Sequence, residues 1–296
     1  MPFSCDSDLV GVVERLFIHP VKSCAGIELQ EALLTATGLQ WDRHWMVVDA
    51  QGDFLTQRTH ARMALVRPQL GAHTLTLQAP GQGPLCVPLQ PPQGTAPATT
   101  VVRVWKDSVR AWDMGEEAAR WFSQFLGLPC RMVRFDPSHS RLSSLDWTAG
   151  ELVHHQFADA FPLLVTSTAA LHDLNAQLAA AGHASVGMER FRPNVVLGGV
   201  QAHDEDRVDL LCMEGADGAD TAIDLQPVKP CVRCPIPDID PATAQSSFAV
   251  GDALRRYRQD ARMGGAITFG MNAIVRRGVG QVLRTGQRLS ANYRFD

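Results

Sequence analysis

Short apolar and β-branched runs dominate the hydrophobic pattern of the chain. Val-Gly-Val-Val-Glu-Arg-Leu-Phe-Ile at 10–18 reads as a strand, which His19-Pro20-Val21-Lys22-Ser23-Cys24-Ala25-Gly26 breaks. Residues 30–37 and 44–49 return to the strand pattern, and the turn Asp49-Ala50-Gln51-Gly52 leads into 53–57 as a hairpin. Short alternating runs fill 64–89, residues 90–98 make an exposed Pro/Gly-rich loop, and 100–104 and 108–112 form a hairpin around Lys106-Asp107. The period then changes. Ala118, Trp121, Phe122 and Phe125 share a helical face within 115–126, with Glu116 and Glu117 in the first turn.

Residues 130–135 return to strand, and the irregular, serine-rich stretch 136–153 reads as a linker or mobile loop. A strand at 161–166 precedes a helix marked by Leu171, Leu174 and Leu178, which stops at Gly182. Phe191-Arg192-Pro193-Asn194 leads into a strand at 195–198. Residues 207–212 and 221–225 bracket an Ala/Asp/Gly loop. A short helix at 251–259 carries Leu254 and Tyr257, and strands at 267–276 and 280–289 flank a turn at Gly278. Strands dominate without regular β-α alternation or an internal repeat. The pattern predicts a mainly-β, barrel-like architecture with attached helices (α+β), in two parts.

Composition narrows the functional classes. The 296 residues are 45% hydrophobic and 20% charged, as expected of a soluble globular protein. A formal charge of −4 supplies no basic field for nucleic acid, although cations could still cluster around an anionic ligand. Met1 to Gly11 has neither the basic nor the apolar region of a secretory signal, and no apolar run is long enough for a membrane span. Seven cysteines, an odd number, favour free thiols in a reducing compartment over a disulfide framework.

Two of those cysteines carry the candidate chemistry. Cys231 and Cys234 lie within Gln226–Asp240, close to Pro230, Pro235 and Pro237, which predict a stiff, extended loop. The prolines disfavour the helix N-terminus that a thioredoxin-type redox pair needs. Structural zinc requires further ligands, yet the other cysteines are isolated and His154-His155 are adjacent. Two readings stay open on spacing alone: a pair of structural cysteines, or a single thiolate on a soft metal whose remaining ligands come from a cofactor.

Four ordered motifs bear on that choice: Pro20-Val21-Lys22-Ser23-Cys24, Asp42-Arg43-His44-Trp45, Phe191-Arg192-Pro193-Asn194 and Cys231-Val232-Arg233-Cys234. Together they resemble the MOSC-domain proteins with an N-terminal MOSC β-barrel region, among them the mitochondrial amidoxime reducing component and bacterial YcbX-like proteins. The resemblance runs from about Leu9 to the C-terminus. It implies an N-terminal MOSC region at 8–140 and a MOSC domain at 141–296. Lys22, Ser23 and Arg43 would have to meet Cys234 at one site, so the first ~45 residues are expected to pack with the C-terminal half. The true N-terminal domain would then be an insertion of approximately 50–140.

The family's molybdenum cofactor is a pterin dithiolene with a phosphate. The resemblance makes Cys234 the molybdenum ligand and catalytic centre; for Cys231, packing or loop support stands beside a direct role. Arg43, Arg192 and Arg233, with Lys22 and Ser23, would hold the phosphate and pterin, because arginine binds phosphate bidentately and stays charged. Separately each reads as a surface charge or a strand-end ion pair. Asn194 and Asn272 would be amide donors near the metal. Asn272 stands in Phe269-Gly270-Met271-Asn272, where the mitochondrial relatives have tyrosine, which implies the bacterial branch.

The implied activity is molybdenum-dependent reduction of N-hydroxylated substrates such as amidoximes, N-hydroxylated purines and hydroxylamines, a detoxification reaction. Carriage of the cofactor, or of persulfide sulfur, without turnover is the alternative, and a zinc-stabilised β module is a third reading. No cysteine follows Cys234, so no iron–sulfur domain is expected. Electrons would come from a separate ferredoxin, flavoprotein reductase or similar protein. The absence of a membrane-targeting N-terminus implies a cytoplasmic protein.

Overall fold

The structure is a computed structural model that describes residues 7–91, 97–215 and 221–294. Parts of the expected loops at 90–98 and between 212 and 221, together with Cys5, lie outside the described residues. Among the described residues the fold is mainly β with three α-helices.

Seven strands close a barrel in the order β14 (Leu163–Ser167), β15 (Val195–Gly198), β1 (Leu9–Ile18), β21 (Arg288–Ala291), β16 (Leu211–Met213), β17 (Ile223–Val232) and β19 (Ala266–Arg277). Pairing of β14 with β19 shuts the ring, so every barrel strand has two neighbours and no edge is left open. Gly270 permits that closure. Its φ is +76°, and a Cβ there would stand 2.6 Å from the Val165 carbonyl oxygen. The barrel interior is aliphatic, built from Val13, Leu16, Val165, Leu197, Leu225, Ala273 and Leu289. Outside the ring, β2 (Ile27–Leu29) pairs with β1 and β18 (Gln259–Asp260) with β19.

One β-α-β unit interrupts the otherwise antiparallel ring, because β14 and β15 run parallel. The crossover is helix α2 (Thr168–Ala180), whose N-terminus is capped by Ser167 Oγ accepting from Ala170 N at 3.1 Å. Its buried Leu171, Leu174 and Leu178 pack with Leu254 of α3 (Ala249–Tyr257) over Phe17, Val196 and Phe269. Helix α3 begins and ends two residues before the span that the pattern predicts.

The N-terminal part has a second core. Its sheet runs β5 (Trp45–Asp49), β11 (Cys130–Phe135), β10 (Asp107–Asp113), β9 (Thr99–Val104). A meander of β6 (Arg67–Leu70), β7 (Thr74–Gln78) and β8 (Leu85–Pro88) lies beside it. Helix α1 (Glu116–Leu126) buries the expected Ala118, Trp121, Phe122 and Phe125 and ends on Gly127 at φ +76°. β3 (Glu31–Thr35) joins β4 (Gly38–Leu39) to β20 (Val282–Arg284), a strand from the far end of the chain.

Two expectations are corrected. Cys231 is not in a loop: β17 continues to Val232, and only Arg233 onwards leaves the sheet. Pro227 and Pro230 are tolerated inside the strand because the pairing with β19 shifts register beside each of them. The stretch 136–153 is not a free linker. Its β12 (Arg141–Leu142) pairs with β13 (His154–His155) just beyond it, and the buried Arg141 ties it to Asp107 and to the carbonyls of Gln156 and Ala158.

Candidate functional site

Lys22, Ser23, Arg43, Arg192, Asn194, Arg233, Cys234 and Asn272 all line one cleft, together with Cys231. The segments that bear them are laced by backbone bonds. Lys22 N donates to Trp45 O (2.8 Å), Trp45 N to Pro20 O (3.0 Å) and Arg43 N to His19 O (2.9 Å). Buried Asp42 accepts from His19 N at 2.7 Å and ion-pairs with Arg43 at 2.5 Å. Ser23 (φ +66°), Arg43 (+52°) and Arg192 (+57°) all occupy the left-handed region without being glycine. Such backbone persists only where the surroundings enforce it, and three instances in one cleft mark a pre-organised site.

The electrostatics are one-sided. Lys22, Arg43, Arg58, Arg192 and Arg233 supply five cations to the cleft. Asp159 pairs with Lys22 at 2.5 Å and Asp42 with Arg43. Among the described residues no carboxylate pairs with the other three. Burial, and then the neighbouring charge of Arg43, bring Arg192 down to about 10. Burial lowers His19 far below its ordinary range, and Arg43 and Arg192 push in the same direction. Burial also lowers Lys22, with Asp159 opposing. Arg58, Arg192 and Arg233 are half-buried, and cations gathered without carboxylates and partly withdrawn from water are costly unless an anion is to be bound there.

The cysteines differ in their surroundings. Arg233 donates from Nη1 to Cys231 Sγ (3.1 Å) and from Nη2 to Phe191 O (2.9 Å), and its guanidinium lies 5.4 Å from the Phe191 ring centroid. Its Nε is buried with no hydrogen-bond partner. Cys234 is half-buried, and no hydrogen bond from the described residues reaches its sulfur. All six described cysteines are free thiols. Among the described residues no cluster of three or more His, Cys, Asp or Glu side chains could hold a metal, so the zinc reading lacks a ligand set there.

Asn194 lines the cleft and also ties elements together. It is 1% exposed; Nδ2 donates to Phe17 O, and Oδ1 accepts from Leu164 N and Arg43 Nη1. Asn272 keeps a place on the cleft wall and donates to Lys229 O at 3.3 Å. Phe54, Arg58 and Asp159 also line the cleft and belong to none of the four motifs. Phe54 lies inside the expected hairpin at 53–57 and Arg58 directly after it, whereas nothing in the local pattern points to Asp159.

The site's chemistry fits a thiol-ligated anionic cofactor: a sulfur that no neighbour engages, three cations without carboxylates, and one orphaned guanidinium nitrogen. The comparisons agree at family level. The MOSC N-terminal beta barrel domain matches residues 10–129 and the MOSC domain matches residues 153–290. Mitochondrial amidoxime-reducing component 1 of Mus musculus is 35% identical over 257 residues, covering 84% of this chain and 72% of that protein. The Homo sapiens protein of the same name is 33% identical over 262 residues, 84% of this chain and 73% of its own. Molybdenum cofactor sulfurase of Homo sapiens is 28% identical over 276 residues, 88% of this chain but 29% of its own length. The chain belongs to the MOSC family, joining a MOSC N-terminal beta barrel domain to a MOSC domain.

Proposed function

We propose that the chain holds a molybdenum cofactor in this cleft and reduces N-hydroxylated compounds, drawing electrons from a separate donor protein. The observation that carries the reading is the meeting in one cleft of Cys234 with Arg192 and Arg233, neither of which has a carboxylate partner among the described residues. When bound, the cofactor supplies the two-electron chemistry that takes oxygen from an N–OH group.

The chain's own residues hold and orient. Cys234, as thiolate, is the metal ligand, and the direction of its side chain follows from the end of β17 and from Pro235. Arg192 and Arg233 bind the phosphate and the polar pterin edge, with Lys22, Ser23, Arg43 and Asn272 around them. Asn194 fixes Arg43 through its Oδ1. Cys231, held by Arg233, supports the guanidinium rather than the metal. The similarity to a molybdenum cofactor sulfurase favours a second reading, in which the cofactor or a sulfur atom is carried without substrate turnover.

Metal and pterin analysis of the natively expressed protein tests both. Molybdenum and pterin equimolar with the chain, lost in Cys234→Ser and retained in Cys231→Ser, is the expected result. Reduction of benzamidoxime by the loaded protein with a chemical electron donor then separates enzyme from carrier. Stoichiometric zinc without molybdenum or pterin would overturn both readings.

A further inference from the structure

Apart from the cysteines and the phosphate-type donors, the cleft has an aromatic rim, Phe54 and Trp105, gathered around one of its cations, Arg58. Phe54 and Arg58 line the cleft, and Trp105 stands beside them at the turn between β9 and β10. The ring centroids of Phe54 and Trp105 are 5.1 Å apart. The Arg58 guanidinium lies 4.6 Å from the Trp105 centroid and 6.0 Å from that of Phe54. Among the described residues no carboxylate lies within ion-pair distance of Arg58; Asp159 feels its charge from farther off, and its flat cation stacks on Trp105.

Trp105 is fixed in place yet uncovered. Its Nε1 donates to Asp159 Oδ1 at 3.0 Å, and the same oxygen pairs with Lys22. Its backbone is left-handed at φ +56°, which a bulky side chain adopts only under constraint. Even so, the residue is 51% exposed. A tryptophan that served only to fasten the hairpin would gain from burying that face. Holding a large aromatic face rigid beside a cleft is the arrangement used to bind planar π-systems.

We propose that Trp105, Arg58 and Phe54 form a stacking platform at the mouth of the cleft that selects N-hydroxylated compounds whose N–OH group is conjugated to an aromatic ring. The inference rests on the reductase reading above and assigns the substrate class within it. The platform is contributed by the N-terminal part, whereas Cys234 comes from the barrel. Substrate choice and cofactor ligation therefore belong to different parts of the chain.

Benzamidoxime and acetamidoxime share the reacting group and differ in ring against methyl. Trp105→Ala is expected to lower the ratio of kcat/KM for benzamidoxime over acetamidoxime roughly tenfold, through KM, as loss of one stacking face implies. Trp105→Phe, which keeps a ring but loses the N–H donated to Asp159, should restore most of the ratio. Equilibrium dialysis of benzamidoxime against protein without reductant should show the same order: wild type, then Trp105→Phe, then Trp105→Ala. Equal losses for both amidoximes in Trp105→Ala would overturn the platform. So would Trp105→Phe as impaired as Trp105→Ala, since the indole would then act only through Asp159. If the wild type, loaded with molybdenum and pterin, reduces neither compound, the reductase reading fails. Dialysis then decides alone, and benzamidoxime binding that Trp105→Ala does not weaken overturns the platform.

Discussion

Glu205 carries a pH-dependent stability that the cleft does not need. It is fully buried in the turn Asp204–Asp206, and burial, reinforced by Asp206, raises its carboxyl to about 7 from an ordinary 4.5. A raised acid pKa means the folded state holds the proton more tightly. The associated stability is complete below about pH 4.5 and is lost as pH rises through about 7. The loss is about 3 kcal/mol between these limits. Glu205→Gln keeps the shape and removes the titration. Its Tm should match that of the wild type near pH 4.5 and exceed it at pH 8, and thermal melts at the two pH values check this. Asp42 works in the opposite sense. Burial opposes its ionisation, but Arg43 and the hydrogen bond from His19 hold it down at about 2, so its contribution is lost only as pH falls through that value. Neither shift is legible in the sequence, because each depends on a neighbour's charge inside a folded interior. Lys22, Arg43 and Arg192 are legible through the ordered motifs that carry the family resemblance; by its local pattern alone each reads as a surface charge or a strand-end ion pair. Arg58 and Asp159 lie in none of those motifs, and only the fold brings them to the cleft.

Among the elements, segment 136–158 shows how one non-local contact replaces periodicity. Its pattern is that of a linker, yet Arg141 is nearly fully buried and bonds Asp107 at the β10 end of the β9–β10 hairpin. Its Nη1 also donates to Gln156 O (2.5 Å) and Ala158 O (2.9 Å), one residue before Asp159. Arg141 thus clamps the hairpin that presents Trp105 to the segment that presents Asp159. Arg141→Met should cost about 2 kcal/mol, the worth of charge-assisted bonds left unmade. Amide exchange at 156–162 should accelerate more than in the barrel strands. Hydrogen exchange read by mass spectrometry gives the comparison, and uniform acceleration throughout the chain would refute the clamp. Strand β17 is the complementary case. Its prolines signalled irregularity correctly, at Pro227 and Pro230, but as bulges within a strand rather than as a loop. A proline reports a missing donor; whether the partner strand leaves a gap to receive it depends on β19.

For the whole molecule, the decisive feature is the place of β1 between β15 and β21. The strand lies at the start of the chain and its barrel neighbours lie beyond residue 194. We read residues 7–43 as part of the barrel, with the β5–β11 region inserted between them and the rest. Leu9, Val13, Leu16 and Ile18 fill the same interior as Leu197, Leu225 and Leu289, and β3 adds Ala32 and Leu34. A fragment of residues 141–294 would lose those side chains and open the ring, leaving β15 and β21 as facing unpaired edges. Such a fragment should show no cooperative thermal transition and should aggregate at moderate concentration. Supplying residues 7–43 through a flexible linker to 136–294 should restore a cooperative melt, because the linked segment closes the ring and returns its core. Circular dichroism melts and sedimentation of the two proteins compare them directly. Cooperative unfolding of 141–294 alone would show that the barrel closes without β1. The same topology explains why no cut through the middle of the chain could keep the cleft: Lys22 and Arg43 reach it from the first strand and its following turns, Arg192 and Asn194 from the approach to β15, and Cys234 from the end of β17.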